Sequence, residues 1–260
     1  VSHFQTYFPD SGGYDIYDDD ADNGGRGSLT EQTLVELREI AARYPQKRSA
    51  LLPMLHLCQS QLGRITTSAM EACAEICEIS VAEVSGVVTF YTMYKRKPVG
   101  KHLVGVCTTA LCAIMGGDAL LAGLQDHLGV GLDETTADGA ITLEHVECNA
   151  ACDYAPVMMV NWEFFDNMNP ESAVALVDAL RADQPVASPR GAEITSWREA
   201  ERVLAGFGDG RADQGPAAGP ESLLGLEIAN ERGWHAPEAP GRAGGPDADA
   251  GTDREEGSAK

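Results

Sequence analysis

Basic residues are scarce in this chain. It has 19 Lys and Arg against 40 Asp and Glu in 260 residues, a formal net charge of −21. That balance excludes nucleic acid as a partner, because its phosphates are neutralised by Lys and Arg. The deficit is not confined to the ends. Residues 1–27 hold six Asp against Arg26, and residues 208–260 hold eleven acidic against five basic groups, leaving −10 for residues 28–207. An acidic body of this kind serves solubility or docking on a basic partner. Long apolar runs are also missing. The longest candidates, Ala50–Cys58 and Gly86–Tyr91, are far shorter than the ~18 residues of a membrane span. No direct membrane insertion is expected, and any membrane attachment must come through another subunit. The start shows no secretory n- and h-region. There is no G-x-G-x-x-G after a strand and no Walker A sequence. GFGDG at Gly206–Gly210 follows no strand and reads as linker. No Ser/His/Asp or Cys/His catalytic arrangement is legible, so no catalytic residue is assigned. The absence of C-x-x-C argues against a thioredoxin-type disulfide exchanger. The absence of a Cys-x-His pair argues against a Rieske centre and leaves His145 as an ordinary strand residue.

Cysteine is present in an odd number, seven, clustered mid-chain. This suits metal-binding thiols in a reducing cytoplasm better than an exported disulfide framework. Four of the seven form two tight pairs, Cys107 and Cys112 in CTTALC and Cys148 and Cys152 in CNAAC. Sites built from four thiolates hold zinc or iron–sulfur clusters. Structural zinc favours spacers of two to four residues, often with a His. The C-x4-C step resembles the first spacing of plant-type [2Fe–2S] sites. Two loops that each offer one pair fit a cluster with two ligands per iron. Zinc, buried thiols and disulfides are the alternatives that spacing leaves open. Cys73 and Cys77 share one helical face. With Cys58 they read as core residues, since a free Cys behaves as a small hydrophobe.

The rest of the chain reads as follows. Residues 1–27 form an acidic, Gly-containing arm expected to be flexible. Ser28 and Glu31 make a capping-box pattern, and Leu34, Val35, Leu37, Ile40 and Ala41 follow at helical spacing. Further helices are expected over Ser49–Leu62, from Thr67 or Ser68 with Glu71, and from Ser80 with Glu83. Together they make a small helical bundle over 28–97. After Pro98 the pattern changes to strand Lys101–Cys107, helix Ala110–Leu128, turn-rich loop Asp133–Gly139 and strand Ile141–Glu147. A hairpin of Pro156–Val160 and Glu163–Phe165 and a helix Glu171–Leu180 follow. This β, α, β, β, β, α order over 98–187 predicts a thioredoxin-like α/β layer. The fold class is therefore α/β, a small N-terminal helical bundle followed by a thioredoxin-like domain, with disordered tails. Residues 188–260 read as a flexible or partner-binding tail. It contains one possible helix over Ser196–Leu204 and an apolar island, LLGLEIANERGW. In this topology Cys107 and Cys148 end neighbouring strands, so both pairs converge. Thr108 and Thr109 either cap the helix that follows or donate to sulfur. Glu144, Glu147 and Asp153 lie close to the second pair in sequence; they read as solvated surface carboxylates or, facing a cluster, as charges that would lower its potential.

Four segments, LLPMLHLCQSQLGRIT, EVSGVVTFYTMY, GVCTTALC and VECNAACDYAPVMMVNWEFFDN, resemble in order and spacing the [2Fe–2S] E-subunit family of NADH-quinone oxidoreductase (respiratory complex I). The likeness spans about residues 30–185. It implies a helical bundle joined to a thioredoxin-like ferredoxin domain, with Cys107, Cys112, Cys148 and Cys152 as cluster ligands. It further implies electron transfer from FMN on a partner subunit that binds NADH, a neighbouring iron–sulfur subunit, and a cytoplasmic position at the inner face of the membrane through the complex. Related subunits of NAD-reducing hydrogenases and NAD-dependent formate dehydrogenases share the pattern, and a zinc-stabilised scaffold is the competing class. Two departures stand out: Leu111 and Ala150 occupy places where the family often has Pro and Gly.

Overall fold

A computed structural model describes residues 29–216 and 218–235. The chain divides into two compact units at Ala217/Ala218. The N-terminal arm, including the expected cap Ser28, and the end of the C-terminal tail lie outside the described residues.

Four helices come first. Helix α1 (Glu31–Ala42) is capped by Thr30, whose hydroxyl accepts from the Thr33 N–H. A 3-10 turn (Lys47–Ala50) leads into α2 (Leu51–Leu62), which stops at the left-handed Gly63. Thr66 caps α3 (Thr67–Cys77), and Ser80 and Glu83 close a reciprocal capping box on α4 (Val81–Phe90). Such caps satisfy backbone donors that a helix start leaves free. Leu37, Ile40, Met54, Leu55, Ile65, Met70 and Val84 form the bundle core, together with Cys58, Cys73 and Cys77. The Cys58 and Cys73 sulfurs lie 3.9 Å apart. A hydrogen bond donated by Cys73 to Cys58, together with burial, pushes the Cys73 thiol well up, and burial raises that of Cys77 to about 11. These three are packed thiols of low reactivity.

The second layer is a five-stranded sheet in the order β2-β3-β1-β4-β5. Its strands are β1 (His102–Cys107), β2 (Glu134–Thr135), β3 (Ile141–Val146), β4 (Met158–Val160) and β5 (Glu163–Phe165). Strand β1 runs parallel to β3, with Cys107 opposite Val146, and antiparallel to β4. Between β1 and β3 lie α5 (Ala110–Ile114) and α6 (Gly117–Leu128), and α7 (Pro170–Arg181) follows β5. Leu120, Leu124, Val177 and Leu180 pack with Val104, Val106, Ile141 and Leu143 as the sheet-side core.

Two local expectations are corrected. The single helix expected over Ala110–Leu128 is broken at Gly116, whose φ of 111° no helix accommodates. The loop expected over Asp133–Gly139 contains β2, paired antiparallel to β3 at Glu134↔Leu143. Two residues are too short a run for hydropathy alternation to reveal.

The β4–β5 turn is Asn161–Trp162, with φ of 50° and 75°. Paired left-handed residues match the twist of a two-residue hairpin. Asn161 is held from several sides: its side-chain oxygen accepts from the Leu103 N–H at 2.8 Å and its amide donates to the Thr195 carbonyl at 2.7 Å. Helix α8 (Trp197–Leu204), capped by Ser196, packs on α2. Its Glu201 carboxylate accepts from His56 Nδ1 at 2.6 Å, Gln59 Nε2 at 2.8 Å and Trp162 Nε1 at 2.9 Å. Glu201 thus ties the bundle to the hairpin. In the second unit, α9 (Pro220–Glu231) occupies the apolar island and exposes Leu223, Leu224 and Leu226.

Candidate iron–sulfur centre

Parallel pairing of β1 and β3 brings their C-terminal ends to one sheet edge, and both thiol pairs start there. Cys107 is the last residue of β1 and donates its N–H to the Val157 carbonyl at 3.2 Å. Thr109 opens α5, which carries Cys112. Cys148 stands two residues past β3, and Cys152 starts a 3-10 turn, Cys152–Tyr154. Ala150, between them, takes a φ of 55°. This is left-handed backbone in which glycine is the usual occupant, so the chain holds an alanine where the loop geometry favours the family's Gly.

Cys107 and Cys112 perturb each other's ionisation, Cys148 perturbs that of Cys152, and the charge of Cys107 reaches both Cys112 and Cys152. The two loops therefore face each other. Burial opposes ionisation of Cys107. Hydrogen bonds from the Thr109 backbone, Cys112, the Thr109 hydroxyl and the Asn149 backbone outweigh it and bring the thiol below its ordinary value. Burial raises Cys112, and the charge of Cys148 raises Cys152. Such mutual resistance to ionisation is what crowded thiols show before a cation neutralises them. Cys107 and Cys112 are buried on a floor of Ala151, Tyr154, Ala155 and Val157, whereas Cys148 and Cys152 are exposed.

Among the described residues no three of His, Cys, Asp and Glu gather round one point as a lone metal ion requires. Thiolates that serve two irons in pairs need no common point. The donor set fits a [2Fe–2S] cluster in a second respect. The Asn149 Nδ2 beside Cys148 is shut off from solvent with no hydrogen-bond partner, a donor left for an acceptor that the protein does not supply. The acidic neighbours are sorted by the structure. Glu144 is buried and paired with Lys95, while Glu147 and Asp153 are exposed. Glu144 therefore brings no uncompensated charge to the centre. Burial still raises its carboxyl above the usual range, Lys95 opposing.

The family model for the thioredoxin-like [2Fe-2S] ferredoxin matches residues 37–181. This chain belongs to that family. Among curated relatives, the E-subunit of NADH-quinone oxidoreductase from Mycobacterium tuberculosis (strain ATCC 25618 / H37Rv) is 55% identical over 208 residues, 80% of this chain and 82% of that protein. The mitochondrial NADH dehydrogenase [ubiquinone] flavoprotein 2 of Dictyostelium discoideum is 38% identical, over 60% of this chain and 65% of that one. A solved structure, the NAD+-reducing [NiFe]-hydrogenase in the air-oxidised state, aligns over 52% of this chain and 23% of its own at 20% identity and a TM-score of 0.47. The family match ends before α8, so Glu201 lies beyond it while its partners His56, Gln59 and Trp162 lie within it.

Hydropathy and spacing missed Gly117. A Cβ there would stand 2.6 Å from the Cys107 carbonyl oxygen and 2.9 Å from that of Cys112. Real carbon atoms do not approach carbonyl oxygens so closely. Gly117 thus lets α6 begin against both residues of the first pair. Gly117→Ala is expected to push the loop outward and to lower iron content in anaerobically purified protein by more than half, with circular dichroism of the bundle unchanged. Full iron loading would refute this role.

Proposed function

We infer that this chain is the iron–sulfur electron-transfer subunit of an NADH-quinone oxidoreductase, with Cys107, Cys112, Cys148 and Cys152 holding its [2Fe–2S] cluster. The observation that carries this reading is the meeting of two thiol pairs at one sheet edge, in a chain of this family with relatives of that name. The cluster, when bound, supplies one-electron transfer. The protein's own residues do the rest. Strand β1 fixes Cys107 to a rigid sheet, which limits its rearrangement between redox states, and β3 ends two residues before Cys148. The apolar floor closes one side of the site to water. The other side stays open, with Cys148 and Cys152 exposed and Leu111, Ile114 and Met115 around Cys112 exposed by 42%, 81% and 57%. Exposed apolar residues within one helical turn of a ligand suit a docked partner.

That partner is the flavin- and NADH-binding subunit, since this sequence offers no dinucleotide motif of its own, and a neighbouring iron–sulfur subunit receives electrons in turn. No described helix is long and apolar enough to cross a membrane. Attachment through the complex at the cytoplasmic face of the membrane is consistent with that. The test is anaerobic purification together with the flavoprotein. The expected result is red-brown material with iron and acid-labile sulfide in equal amounts and a paramagnetic signal on reduction. Zinc in place of both would refute the reading.

A further inference from the structure

Asn149 directly follows Cys148 inside the second thiol pair. Its backbone N–H helps to favour the ionised sulfur of Cys107, a residue of the first pair. Its side-chain Nδ2 has neither solvent nor a protein acceptor. A buried amide donor left unpaired costs about 1–3 kcal/mol, so an Asn here is a net loss unless something else accepts. An aliphatic side chain in its place would carry no such cost. We propose that Asn149 is a potential-setting residue, whose side-chain amide donates a hydrogen bond to a sulfur of the bound cluster. The proposal rests on the cluster assignment made above. A donor to sulfur stabilises the reduced, more negative cluster more than the oxidised one, and so raises its potential. No nearby acid cancels the effect from a buried position, because Glu144 is paired with Lys95 and Glu147 and Asp153 face solvent.

The experiment compares wild type with Asn149→Leu, which keeps the branched shape and removes the donor, both as cluster-loaded full chains. At a fixed solution potential the variant should hold about tenfold less reduced cluster, equivalent to a fall of about 59 mV for one electron. In the reduced state after exchange into deuterated buffer, one strongly coupled exchangeable deuteron of the wild-type electron–nuclear spectrum should be missing from the variant. A purely structural role would not remove that deuteron. An unchanged potential, or a deuteron signal that persists in Asn149→Leu, would overturn the proposal. A wild-type chain that binds no iron and sulfide would instead refute the reading on which it depends.

Discussion

Glu201→Ala is expected to destabilise the folded body by about 3–5 kcal/mol, the usual cost of removing one member of a buried charged network. The side chain of Glu201 is 0% exposed, and each of its three partners donates. Two donors, His56 and Gln59, come from α2, and the third is the Trp162 indole at the tip of the β4–β5 hairpin. Truncation leaves all three without their acceptor at a fully buried carboxylate, so more is lost than three ordinary hydrogen bonds. Glu201→Gln is not a mild control. An amide presents a donor where the carboxylate presented an acceptor, and a second N–H would oppose either Trp162 or the α2 pair. For a body of this size each kcal/mol corresponds to about 2–4 °C, so Glu201→Ala should melt about 6–20 °C below wild type. A melting temperature within 2 °C of wild type would remove the clamp from the account of stability. Around this contact, Trp197 donates its N–H to the Lys101 carbonyl, Arg198 reaches the Ser60 carbonyl, and Arg202 pairs in a fork with Glu36. Helix α8 thus fastens the bundle to the sheet from a segment beyond the family match.

What the sequence revealed and what it hid divide along the range of the interactions. The Ser80–Glu83 box, the bundle core positions Leu37 and Ile40, strand β1 and the hairpin turn at Asn161–Trp162 all follow from signals within a few residues, and all are present. The pairing of α1 with Thr30 as cap differs from the expected Ser28 because two hydroxyl residues stand two apart, and either can precede a helix. The break at Gly116–Gly117 escaped because it answers to the carbonyls of Cys107 and Cys112, which the helix meets only once the loop has closed. The Glu201 network escaped for the same reason on a larger scale: His56 is 145 residues away and Trp162 is 39. Glu144 misled as a candidate neighbour of the cluster because closeness in sequence to Cys148 says nothing of Lys95, which reaches it from the end of the bundle. Asn149 gave no signal beside two cysteines until its amide was found buried without an acceptor.

Cys112→Ser should strip the protein of its cluster, whereas Cys73→Ala, in the same chain, should leave it fully loaded. Both thiols are buried, at 3% and 0% exposure, so burial cannot tell them apart. Their surroundings can. Cys73 faces Cys58 within an apolar bundle, its thiol pushed well up by Cys58 and burial. Cys112 feels the charges of Cys107 and Cys152, and the Val157 backbone favours its ionised sulfur. A serine oxygen keeps the shape of Cys112 but is a harder ligand that soft iron–sulfur centres hold poorly, and it ionises far less readily than a thiol. Iron should fall to a small fraction of the wild-type content in Cys112→Ser, with the visible absorbance and the reduced-state paramagnetism falling together. Cys73→Ala should lose about 1–2 kcal/mol of stability from the small cavity alone and keep its colour. Equal iron in Cys112→Ser and wild type would break the assignment of the first pair. Loss of iron from Cys73→Ala at unchanged fold would mean that a second thiol site in the bundle shares the metal.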